Sequence, residues 1–317
     1  MRRTDLRRED KVGIVCCFNG QKRGWEKKLD LLADIFRETG LKPVFSDYIF
    51  EREGMSCGTP EQRGRALMDF YRDSSVRAVF DISGGDMANE VLPYLDFEEI
   101  GVSDKLFWGY SDLTTVINAI YAKTGRESVL YQVRNLIYDR GQVQRRDFER
   151  TALGGEPDLF QFRYRFIQGR ELRGIVIGGN IRCFLKLAGT PYFPETEGKV
   201  LLLESLSGGP AKMRTYLCQL KQMGVLDRVS GVLLGTFTEM EQEKCSPDMI
   251  SLIKEYTGSE LPVVKTEEIG HGTDSKGIII GRSIALKNHR DKCASYRGQS
   301  QNRAEQETEN QFWEDNK

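Results

Sequence analysis

The sequence predicts an α/β protein of two units, the first a Rossmann-like parallel sheet with helices on both faces. Three observations carry this. Short apolar runs bounded by glycine or polar loops recur through the first half of the chain. Between them lie segments with apolar residues at helical spacing, the alternation expected of a parallel sheet fed by crossover helices. The same alternation resumes after a mixed, Arg-rich stretch, and 317 residues suffice for two cores. The expected first unit is 1–150, including a charged arm at 1–10, and 151–173 is the crossing. The second, smaller unit, α/β or β-rich, is expected over 174–291, with a polar, disordered tail at 292–317.

Each element has a local signature. "KVGIVCCF" (11–18) reads as a buried first strand, along which Cys16 and Cys17 face opposite ways. Leu29, Leu32, Ile35 and Phe36 recur at helical spacing until Gly40. "KPVFSDYIF" suggests the second strand. In "GTPEQRGRALMDFYRD", Thr59, Pro60 and Gln62 form a capping-box signature. "VRAVFDISGGD" is a third strand entering a glycine turn, and "KLFWGYSD" a fourth. The stretch from Tyr138 to about Arg173 is assigned to the crossing. Beyond it, "KVLLLES" and "GVLLGTF" are strands flanking a helix with Met213, Tyr216, Leu217, Leu220 and Met223 on one face. "ELPVVKTEEIGHGTDSKGIIIGRSIAL" reads as strand, loop and hairpin.

Composition excludes several classes. Lys plus Arg (46) nearly balances Asp plus Glu (47), so no general attraction to nucleic acid or anionic membrane is expected. "QVQRRDFER" offers a local anion site or, more simply, a solvated face or loop segment. Seven cysteines, an odd number without a C-x-x-C pair, fit a reduced protein and neither a disulfide framework nor a zinc module. The first ten residues are too charged for a signal-peptide core, and no apolar run is long enough to cross a bilayer. The expectation is a soluble, cytoplasmic protein.

Open parallel sheets bind ligands beyond the carboxyl ends of their strands. Four motifs fall at such ends: "SGGD" at 83–86, "GYSD" at 109–112, "LLLES" at 201–205 and "IGHG" at 269–272. Of the two histidines, His289 lies in "LKNHRDK" and reads as a surface residue, whereas His271 is flanked by Gly270 and Gly272. Glu204 ends a strand, where an acid orients a histidine or simply caps the helix beginning near Pro210. Ser111 is a natural N-cap. It also follows the logic of a nucleophile elbow, although Leu113 stands where G-x-S-x-G has its last glycine. In that reading the backbone N–H of Asp112, with those of Gly84 and Gly85, faces an oxyanion. The Asp112 carboxylate is left for the helix end. From the residues alone, capping and catalysis both stand.

The chain resembles the LD-carboxypeptidases, serine peptidases that include the microcin C immunity peptidases. The resemblance rests on "SGGDMANEVLPYLDFEEI", "GYSDLTTVINAIYAKTG", "GIVIGGNIRCFLKLAGTPYFPETEGKVLLLES", "LCQLKQMGVLDRVSGVLLGTF" and "IGHG", in that order, across about residues 11–286. It implies a two-domain α/β fold with the active site between the domains, often in a homodimer. It also implies a metal-independent triad of Ser111, Glu204 and His271 that needs no cofactor, with oxyanion donors at Asp112 and the Gly84-Gly85 turn. The reaction implied is release of terminal D-alanine from a muropeptide tetrapeptide during cytoplasmic cell-wall recycling. Three departures bear on the substrate pocket. Ser205 follows the acid where the family has Asp, "CCFNGQKRG" replaces a small Ser/Pro-rich loop, and "VLYQVRNLIYDRG" replaces a Gly-Pro turn. A carboxypeptidase needs a group to grip the terminal carboxylate. Several arginines are available, and the sequence does not select one.

Within the same chemistry, a peptidyl or aminoacyl nucleotide is the alternative substrate. From other classes, "DISGGDMANE" as a kinase phosphate loop lacks a glycine and a threonine, having Met87 and Ala88 instead. A Rossmann-like binding module that has lost its reaction is the non-enzymatic alternative.

Overall fold

The structure, a computed structural model, describes residues 6–52, 54–288 and 293–294. His289 and most of the 292–317 tail lie outside the described residues.

In the first half, strands β1 (Lys11–Val15), β2 (Lys42–Phe45), β3 (Val76–Asp81), β4 (Leu106–Gly109) and β5 (Ser128–Leu130) alternate with helices. These are α1 (Glu26–Glu38), α2 (Pro60–Arg72), α3 (Phe97–Val102) and α4 (Thr114–Thr124). The strands pair in parallel in the order β5-β4-β3-β1-β2. Side-chain alternation builds a core on each face. Val79 and Phe107 pack with Leu67 of α2 and Ile117 of α4, and Ala78, Phe80 and Trp108 with Leu32 and Phe36 of α1. Cys17 joins the first cluster and Cys16 the second. The capping box of α2 is present in full, Thr59 accepting from the Gln62 N–H and Gln62 from the Thr59 N–H.

The Arg-rich stretch assigned to the crossing opens instead as a helix, α5 (Gly141–Ala152), packed on this sheet. Its buried face mixes Phe148 and Ala152 with Gln144, Asp147 and Thr151. Each polar group there has a partner. Gln144 accepts from the Tyr131 hydroxyl at 2.6 Å, Asp147 meets Lys276 Nζ at 2.6 Å, and Thr151 accepts from the Leu159 N–H at 2.9 Å. The Phe148 ring centroid lies 5.9 Å from each of Phe36, Phe80 and Trp108. Phe148→Ala is therefore expected to cost about 3–5 kcal/mol in urea unfolding. A loss below about 1 kcal/mol would return this segment to the status of a linker.

The second half runs β6 (Phe162–Arg163), β7 (Arg165–Gln168), β8 (Glu171–Asn180), α6 (Ile181–Leu185), β9 (Val200–Ser205), α7 (Pro210–Gln222) and α8 (Val225–Arg228). It continues with β10 (Gly231–Phe237), α9 (Thr238–Gln242), α10 (Met249–Thr257), β11 (Val263–Lys265), β12 (Ile278–Ile280), β13 (Ser283–Lys287) and β14 (Cys293–Ala294). Strands β8 to β11 are parallel at the centre of a sheet ordered β13-β8-β9-β10-β11-β7, whose two edge strands are antiparallel. The second half is thus α/β. β14, in the expected tail, pairs with β6.

The expected hairpin is not one. β12 pairs antiparallel with β5 of the first sheet, and β13 pairs antiparallel with β8 of the second. Consecutive strands therefore lace the two sheets together. The core follows suit: Val176, Leu202, Leu233 and Val264 of the second sheet belong to the same buried cluster as Val79 and Phe107 of the first. Among the described residues no helix is long and apolar enough to cross a membrane.

Candidate active site

Ser111 sits just past the carboxyl end of β4, a central strand of the first sheet. Its φ is +58°, in the left-handed region that non-glycine residues seldom occupy. The strain is held by its neighbours. The Leu113 N–H donates to the Tyr110 carbonyl at 3.1 Å, and a Cβ on Gly109 would fall 2.9 Å from that of Leu113. No side chain larger than hydrogen fits at 109 without opening the turn.

Helix α4, which follows, is clamped to the second sheet. Asn118 Nδ2 donates to the Gly178 carbonyl at 2.9 Å, and its Oδ1 accepts from the Gly178 N–H at 2.8 Å. Thr114 Oγ1 accepts from the Asn180 N–H at 3.1 Å. In the register of β8 with β9, Asn180 lies opposite Glu204. The chain of contacts from Ser111 through α4 and β8 thus sets the acid relative to the serine.

Glu204 is fully buried at the end of β9. His271 Nδ1 lies 2.7 Å from Glu204 Oε2, and His271 Nε2 lies 3.2 Å from Ser111 Oγ. The three residues singled out from sequence are therefore in one line. Glu204 turns to the histidine and not to the helix at Pro210. The histidine loop is pinned at several points. The Ser275 N–H donates to the Gly272 carbonyl at 3.1 Å, the Thr236 N–H to the Ile269 carbonyl at 2.8 Å, and Asn135 Nδ2 to the Gly272 carbonyl at 3.4 Å.

Tyr110, which sequence reading passed over, closes this cluster. Its hydroxyl donates to Glu204 Oε2 at 3.1 Å and lies 3.4 Å from His271 Nδ1, and its ring packs edge-on against the imidazole at 4.8 Å. Burial pushes the phenol well above its ordinary pKa, and the Glu204 charge adds to the shift. Tyr110 thus stays protonated and acts as a donor.

The Asp112 carboxylate does not serve the helix end. It is fully buried, accepts from the Ala88 N–H at 2.8 Å and pairs with Lys186 Nζ. Lys186 also donates to the Asp86 carbonyl at 2.6 Å, and Arg182 pairs with the Asp86 carboxylate. Asp112 therefore ties the serine turn to the glycine turn at 83–86. A second buried carboxylate, Asp81, holds the other side of that turn, accepting from the Cys17 N–H at 2.8 Å and the Ser83 N–H at 2.6 Å. Burial raises its pKa, against the pull of these donors. Gly85 adopts φ +132°, and a Cβ there would lie 2.5 Å from the Asn19 side chain. Only glycine satisfies both conditions.

The thiols beneath this turn do not compete as nucleophiles. Cys16 and Cys17 are pushed well up by burial, with the Asp81 charge adding, and Cys57 is raised to about 12 for the same reasons. Among the described residues no cluster of three or more His, Cys, Asp or Glu is arranged to hold a metal ion.

Comparison with known proteins gives the family and the fold. Residues 12–131 match the LD-carboxypeptidase N-terminal domain, and residues 173–286 the LD-carboxypeptidase C-terminal domain. The chain is 28% identical over 296 residues to the probable murein peptide carboxypeptidase of Bacillus subtilis, covering 89% of this chain and 90% of that one. The fold is shared with the muramoyltetrapeptide carboxypeptidase of Oxalobacter formigenes, with TM-score 0.74, 22% identity, and 89% and 97% of the two chains covered. It is also shared with an MccF-like protein of Bacillus anthracis, with TM-score 0.81, 23% identity, and 93% and 98% covered. The chain, a serine-type carboxypeptidase by these matches, belongs to the LD-carboxypeptidase family.

Proposed function

We propose that this protein removes the terminal D-alanine of a muropeptide tetrapeptide by hydrolysing an L,D-peptide bond. The observation that carries the mechanism is the histidine bridging serine and acid, with contacts of 3.2 and 2.7 Å. A carboxylate has no proton to give, so the hydrogen between Glu204 and His271 resides on Nδ1, and Nε2 presents its lone pair to the Ser111 hydroxyl. Ser111 Oγ attacks the scissile carbonyl while His271 takes its proton. The imidazolium then protonates the departing amine, leaving an acyl-enzyme on Ser111. Water, deprotonated by His271, releases the shortened peptide. The backbone N–H groups of Asp112 and of the Gly84-Gly85 turn receive the oxyanion, each such donor typically contributing about 3–4 kcal/mol. Asp81, Asp112 and Lys186 hold those donors in place.

The chain's likeness to a murein peptide carboxypeptidase supports the muropeptide as substrate. What supports a cytoplasmic homodimer is the resemblance to the LD-carboxypeptidases as a family, often homodimers acting in cytoplasmic cell-wall recycling. Purified protein given a muropeptide tetrapeptide and, separately, a processed microcin analogue is expected to release D-alanine from the first. Cleavage of the nucleotide conjugate alone would transfer the chemistry to that substrate, and cleavage of neither would leave the binding-module reading.

A further inference from the structure

We propose that Arg134 grips the free terminal carboxylate of the substrate. This rests on the carboxypeptidase reading above and supplies the anchor that reading requires.

Arg134 lies in a 3-10 turn (Val133–Ile137) that follows β5, within the segment that departs from the family's usual Gly-Pro turn. The buried side chains of Val133 and Leu136 fix the turn in the core. Its neighbour Asn135 reaches the Gly272 carbonyl, next to His271. On the other side, Arg134 Nη2 comes within 3.3 Å of the point a Cβ would occupy on Gly84. The guanidinium thus lies against the turn that offers N–H groups to the oxyanion.

Its charge is unmatched. Nη2 donates to Gln132 Oε1 at 3.1 Å, whereas Nε is buried without a hydrogen-bond partner. Among the described residues no carboxylate pairs with it, in contrast to Arg182 and Lys186, which Asp86 and Asp112 engage. A half-buried guanidinium that no carboxylate engages gains a charge-assisted partner when an anion reaches its accessible side. The carboxylate of a C-terminal residue is three bonds from the scissile carbonyl carbon. An oxyanion at the glycine turn therefore brings that carboxylate within reach of a cation lying against the same turn. The planar fork of arginine suits a carboxylate better than the point charge of lysine.

The test compares a tetrapeptide ending in free D-alanine with its C-terminal amide, using wild type, R134M and R134K. The ratio of kcat/KM for acid over amide is expected to fall roughly 100-fold in R134M, chiefly through KM for the acid. R134K, which keeps the charge but not the fork, is expected to fall in between. Fluorophosphonate labelling of Ser111, which needs no carboxylate, verifies that each variant is folded. Should R134M fail to fold, the R134K ratio decides alone. A ratio within about three-fold of wild type in the folded variants would overturn the assignment while leaving the peptidase reading intact. A wild type that hydrolyses neither substrate would overturn the peptidase reading, and this inference with it.

Discussion

Replacing Ser111 with alanine is expected to lower kcat on a muropeptide tetrapeptide by a factor of roughly one million. Fluorophosphonate labelling should vanish with it, because no other hydroxyl lies on His271 Nε2 in the hydrogen bonds of this site. Ser111→Gly gives an independent view of the same residue. Serine here holds φ at +58°, a conformation costing a non-glycine residue roughly 1–2 kcal/mol. Glycine relieves that cost, so Ser111→Gly should be as inactive as Ser111→Ala yet about 1 kcal/mol more stable to denaturant. That combination separates a nucleophile held in a strained turn from a helix cap, whose loss would destabilise the protein and leave turnover intact. A Ser111→Ala variant that still hydrolyses the tetrapeptide at a hundredth of the wild-type rate would sink the nucleophile assignment.

Much of the candidate site was readable because its members sit where local pattern is informative. Ser111, Glu204 and His271 each follow an apolar run or lie between glycines, and only two histidines were available. The roles that escaped notice depend on partners distant in the chain. The Asp112 carboxylate meets Ala88 and Lys186, 24 and 74 residues away, and nothing near position 112 signals either. Asn118 does leave a mark in the sequence: it is the polar residue in the otherwise apolar run "VINAIYA", and it binds both backbone groups of Gly178. α5 does not show in the pattern because half its buried face is polar, and that half finds partners beyond the helix in Tyr131, Lys276 and the Leu159 N–H, besides Arg146 beside Asp147. The β12–β13 segment has the pattern of a hairpin whether its strands pair with each other or with two different sheets. Pairing choice is a tertiary property: β12 finds its partner in β5 and β13 in β8, both distant in the chain.

Changing Glu204 to glutamine is expected to lower kcat/KM by roughly ten-thousand-fold with little change of fold, since the shapes match. Glu204 is enclosed at the end of a buried strand, and only one of its oxygens is engaged: Oε2 faces His271 Nδ1 and accepts from Tyr110, while Oε1 has no partner among the described residues. A glutamine amide can turn two ways there, and neither works. With its oxygen toward the histidine, the NH2 occupies the place of Oε1, where no acceptor awaits it. With its NH2 toward the histidine, it donates to Nδ1 and shifts the ring proton to Nε2, the nitrogen that must accept from Ser111. In both orientations the negative charge that offsets the imidazolium is gone, and that charge matters most when His271 has just taken the serine proton. The Tyr110 hydroxyl, kept protonated by its raised pKa, cannot substitute as a base. Steady-state rates and fluorophosphonate labelling rates should fall in parallel, because both require an activated Ser111. Activity within ten-fold of wild type in a folded Glu204→Gln protein would reduce Glu204 to a structural acid, and the histidine would then have to be oriented by Tyr110 alone.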